Sequence, residues 1–208
     1  WRANWTSLKS LVAAMDRGIS ARHQEQELRD APLRARLRAL HAPDLERLRN
    51  LAAPEARAAR DAEFMARDAA VVGEALSQLP AALHSAVFCP HVGDWAYSAA
   101  PEAWKALTVV ERILPMRRGS TVSTVDLARW VREQFGVPAP LWRLHEAQRT
   151  SNAPDTTLGW RPHAWFLTDE ENALIPDPGG AVAGLLARIA DESVLRRLRG
   201  RPGIYIRT

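Results

Sequence analysis

The chain has one cysteine, Cys89, two lysines, Lys9 and Lys105, and two tyrosines. A single thiol excludes an internal disulfide, so stability rests on a packed core, and any metal site would lean on histidine and carboxylate. No uninterrupted apolar run approaches the ~20 residues that span a bilayer, so no membrane span is expected. There is no internal repeat and no glycine-rich linker. What is present suffices for a core: 208 residues, 47% hydrophobic and 25% charged, exclude wholesale disorder.

Lysine is nearly absent, so 26 of the 28 basic residues are arginine, and the formal net charge is +4. The densest basic stretch runs from Arg188 to Arg207, six arginines against Asp191 and Glu192. Apart from Tyr205 no aromatic residue interleaves with them, short of the series that a stacking platform requires. The sequence therefore reads this stretch as a solvated helix face and disfavours nucleic acid as a partner.

Residues 1–80 read as a helical region, a cap or a partner-binding module. They are rich in Ala, Leu, Arg and Glu, and Leu33, Leu37 and Leu40 recur at helical spacing. Prolines 32, 43, 54 and 80 read as boundaries, since proline suits a first turn and breaks an interior. Residues 81–208 read as a second, catalytic unit. A helix is expected over 101–114, and another over 124–135, capped by Ser123 or Thr124 and ended by Gly136. Residues 137–144 are expected to be extended, and 149–162 to form a surface loop. His163–Thr168 and Ala173–Pro178 alternate around the polar turn 169–172, which predicts a hairpin. Such a hairpin places His163 beside Asp177. A helix over roughly 185–198 and a strand over 203–207 close the chain.

An imidazole held by a carboxylate is half of a nucleophilic acyl-transfer device: the acid orients the ring, and the ring takes a proton from the nucleophile. His163-Ala-Trp165, the return segment ending Pro176-Asp-Pro178, and the helix leading to Gly136-Val-Pro-Ala139 together resemble the papain-like and transglutaminase-like Cys–His–Asp superfamily. That superfamily includes bacterial deamidase and protease effectors and toxins. The resemblance covers about residues 119–178. It implies an α+β fold, with the helical N-terminal region packed on a small antiparallel sheet. It implies a thiol enzyme that acts on a protein or peptide amide, without metal or cofactor, and a secreted bacterial effector or toxin. Cys89 would attack, His163 would act as base and acid, and Asp177 would orient His163. Trp160 and Trp165 would wall the substrate site. The family's nucleophile slot falls at Gly119–Thr124, which holds no thiol, so Ser123 or Ser120 stands as the alternative nucleophile, and an inactive binding module as the alternative outcome. Gly93-Asp-Trp-Ala-Tyr-Ser98 resembles the nucleophile run of papain-like proteases, with Asp94 in the nucleophile's place. A second resemblance, to NAD-dependent ADP-ribosyltransferase toxins, rests on Ser120–Thr124, on Asp169–Pro176, and on Arg112, Arg117 or Arg118 as phosphate contacts.

Overall fold

The computed structural model describes residues 2–91, 93–150 and 165–208, the side chains of 2–9, 11, 23, 149 and 150 excepted. The chain is mostly helical, with one small antiparallel sheet. Helix α1 runs Arg2–Ala52, α2 Pro54–Arg67, α3 Ala69–Gln78 and α4 His84–Phe88. Pro54 opens α2 as expected, but α1 passes through both Pro32 and Pro43. Both prolines are exposed, so the carbonyls they leave unpaired can be hydrated instead of buried. Among the described residues no helix is long and apolar enough to cross a membrane.

Helix α5, Pro101–Thr108, continues through a wider turn at Val109–Ile113 and carries Trp104 into the centre of the core. Strand β1, Thr121–Ser123, leads into α6, Thr124–Phe135. Ser123 caps α6 by accepting hydrogen bonds from the Val125 and Asp126 backbone N–H groups, and Gly136 ends it at φ +67°. Both signals match the sequence reading.

Residues 139–150 form helix α7 where the sequence predicts an extended segment. Pro138 and Pro140 sit before and within its first turn, where their missing N–H groups break no intrahelical bond. Leu141 and Leu144 are buried at helical spacing. Helix α7 packs on the C-terminal part of α1. There Arg143 donates to Asp44, and its guanidinium holds the Asp44 carboxyl below the usual carboxylate range.

The expected hairpin does not form over the described residues 165–178. Residues 169–172 form a one-turn helix, α8, closed by a capping box between Thr168 and Glu171. The neighbours Phe166 and Leu167 are both buried, which a strand with one solvent face would not allow. Helix α9 runs Pro178–Asp191, earlier than expected, with Asp177 as its cap. Residues 195–197 are strand β2, not helix, and β3 is Ile204–Arg207. The antiparallel sheet has the order β1-β3-β2, with Thr121 opposite Ile206 and Arg197 opposite Tyr205. It does not carry Asp177, which caps a helix, and His163 lies outside the described residues.

Candidate nucleic-acid interface

Helix α9 acts as a ruler for the residues singled out by sequence. The segment from α4 to Tyr97 runs antiparallel along it. Ser85 donates to Glu192 past its C-terminal end. Arg188 donates to the Cys89 carbonyl at 2.5 Å and to the Pro90 carbonyl at 2.9 Å. The His91 ring lies against Gly184, Gly93 lies against Ala181 and the Asp177 carbonyl, and Tyr97 donates to the Pro178 carbonyl at 2.8 Å. Cys89 therefore sits level with residue 188, and Asp177 starts the helix. Eleven residues at 1.5 Å each put them about 16 Å apart along the axis. That exceeds what one imidazole bridges, so Cys89 and Asp177 do not meet at one site, and His163 lies outside the described residues. Cys89 is exposed.

The other expected residues are engaged in structural roles. Asp177 accepts from the Gly179 N–H at 2.9 Å, and the Ser123 hydroxyl caps α6. Ser120 donates to the Arg117 carbonyl. The Trp165 N–H donates to Gln148, and its ring meets Phe166 edge-on. Trp160 lies outside the described residues. Of the ADP-ribosyltransferase echo, Arg112 stacks over Trp130, and Glu171 is bound by Arg38 and by the Thr168 N–H.

Asp177 does have a histidine neighbour, one that sequence reasoning passed over. His145, on α7, lies near the Pro176 carbonyl and the Asp177 carboxylate. Burial pushes its pKa below the ordinary value, and its Nε2 has no partner among the described residues. Reading 137–144 as extended hid the helix that delivers it.

The basic stretch proves different from its sequence reading. Arg188 and Arg207 are bound to backbone carbonyls. The other four, Arg196, Arg197, Arg199 and Arg201, are exposed on the β2–β3 hairpin and its turn. Leu195 and Tyr205 are buried on its inner face and anchor it to the core. The α6 start pins the tip: the Thr124 N–H and hydroxyl both donate to the Gly203 carbonyl, at 2.8 and 3.0 Å. Gly200 and Gly203 both take φ +74°, which the turn requires. Among the described residues no carboxylate lies within ion-pair distance of these four guanidinium groups. Arg197 instead lies over the Tyr205 ring, 5.9 Å from its centroid. Between the hairpin, Thr124 and Ala183 of α9 runs a cleft of about 570 Å³, lined by Arg197 and Arg201.

The arrangement presents guanidinium forks on a rigid two-stranded ribbon, a geometry suited to bidentate contact with phosphate oxygens. No family model, no curated protein and no solved structure matches the chain.

Proposed function

We propose that the chain binds duplex nucleic acid by its phosphate backbone, with the β2–β3 hairpin as the contact element. One observation carries this reading: four exposed arginines on one hairpin with no carboxylate among the described residues within ion-pair distance. Arginines on a solvated surface are ordinarily interspersed with acids, as on α1, where Arg34 pairs with Glu27 and Arg49 with Glu46. A two-stranded ribbon fits the major groove of a duplex and contacts phosphates along its edges. A duplex is favoured over a single strand because Tyr205, the aromatic residue of β3, is buried and offers no stacking face. Phosphate contact alone carries no sequence information, so the binding is expected to be sequence-independent.

Acyl transfer through Cys89 and Asp177 gains no support, because the two lie at opposite ends of α9. Fluorescence anisotropy with a labelled random-sequence duplex tests the proposal. The double variant Arg197→Glu and Arg201→Glu should bind at least about tenfold more weakly at low salt, since two phosphate contacts become repulsions. Cys89→Ser should bind as the parent does. Unchanged affinity in the arginine variant, or tighter binding to a single strand than to the duplex, contradicts the reading.

A further inference from the structure

The cleft beside the β2–β3 hairpin carries charge of one sign. Arg197 and Arg201 line it, and both are exposed. None of its lining residues is acidic. A second cleft, between α2 and α5, is different in kind: Asp61, Asp94 and Glu102 line it alongside Arg57 and Lys105, so its charges are mixed. In the hairpin cleft the Thr124 hydroxyl already donates to the Gly203 carbonyl, and Tyr205 is buried. The two guanidinium groups are therefore its exposed side-chain donors. Much of the remaining lining is apolar: Ala183, Leu198 and Ile204 are half-buried, and Pro202 is exposed.

Two cations beside an apolar surface, with no acid among them, are complementary to an anion that carries an apolar body. The cleft's volume of about 570 Å³ falls within the range of sites that hold a small ligand. The duplex backbone that the hairpin contacts brings such an anion with it. A base pair inside a duplex is covered on both faces by its neighbours and cannot enter a cleft. An unpaired nucleotide at a duplex end can. Its terminal phosphate monoester holds a charge of about −1.5 to −2 near neutral pH, against −1 for an internal diester, so two guanidinium forks hold it more strongly than they hold the backbone.

We propose that this cleft receives the unpaired terminal nucleotide of a duplex, with its phosphate monoester on Arg197 and Arg201 and its base against Ala183, Leu198 and Ile204. The proposal rests on the nucleic-acid reading and deepens it: phosphorylated ends are held in preference to the interior of the duplex.

Fluorescence anisotropy tests it, with labelled duplexes that end in a one-nucleotide overhang bearing either a phosphate or a hydroxyl at its 5′ or 3′ terminus. At one of the two termini the phosphorylated overhang should bind about tenfold more tightly than its hydroxyl counterpart. Unlabelled closed circular duplex, which has no ends, reports the backbone contacts alone. Two variants lose the preference: Ala183→Leu, which fills the cleft with all four arginines kept, and Arg201→Gln, which removes one fork at an exposed position. Equal binding of phosphate and hydroxyl ends at both termini, with closed circular duplex still competing, overturns the proposal and leaves the backbone reading standing. A preference that both variants retain also overturns it. Failure of every duplex to bind overturns the two together.

Discussion

Asp177 illustrates how one residue type supports two readings. A carboxylate before Pro-Gly-Gly is an orienting acid in the sequence reading and a helix cap in the structure, where it accepts from the Gly179 N–H. Asp177→Ala should cost about 1 kcal/mol of folding free energy, the usual value of a lost cap, measured by chemical denaturation. Its neighbour His145 makes stability depend on pH. Burial depresses the folded-state pKa below the ordinary 6.5. The unfolded chain therefore binds the proton first as pH falls. The stability that the neutral ring contributes is full above about 6.5 and is lost as pH drops from there toward the depressed folded value. His145→Gln should flatten this part of the stability–pH profile in denaturation experiments. A profile equally steep in the variant would assign the dependence elsewhere. The histidine was visible in the sequence, but its burial was not, because burial follows from α7 packing on α1 and the 176–177 turn.

At the scale of elements, legibility followed the strength of local signals. Helix α6 was readable end to end, because Ser123 and Gly136 each perform one local task at its two ends. The terminal strand was readable from the Ile-Tyr-Ile alternation after Gly203. Strand β2 was not, because Leu-Arg-Arg-Leu-Arg fits helical and extended periods alike over so few residues. Its pairing with β3 decides the matter, and that pairing is tertiary. The segment 165–178 misled for a similar reason. The alternation suggested strands, while Thr168 and Glu171 form a capping box that the sequence also spells. The hairpin's function depends on how its tip is held. A Cβ on Gly203 would meet Thr124 Oγ1 at 3.5 Å, and φ +74° strains any L side chain. Gly203→Ala should lower stability by about 1 kcal/mol and weaken duplex binding with all four arginines present. Loss of stability with intact binding would mean that the tip geometry is not part of the interface.

Over the whole molecule, two regions differ in what supports them. The body holds a large core, in which Leu45 and Leu48 of α1 pack with Trp104, Phe166 and Ile189, and a small second cluster of Val72, Ala100 and Ala103. The first three-fifths of α1 reach beyond it. From Val12 to Arg36 no described side chain is buried, and Val12, Met15 and Ile19 are about half exposed. Leu37, which packs against the core, and Arg38, paired with Glu171, mark where the helix joins the body. Removing residues 1–30 should leave cooperative unfolding of the body unchanged in midpoint. A truncated chain that melts well below the parent would show that the arm supports the core. The same truncation should leave nucleic-acid affinity unchanged, because the hairpin lies in the body. The most direct test of the central claim is the salt dependence of duplex binding. Four arginine–phosphate contacts predict that log affinity falls with log salt at a slope of about −3.6, and that each arginine-to-alanine change in the hairpin lowers its magnitude by about one. A slope near zero, or one that the hairpin substitutions leave unaltered, would contradict the account.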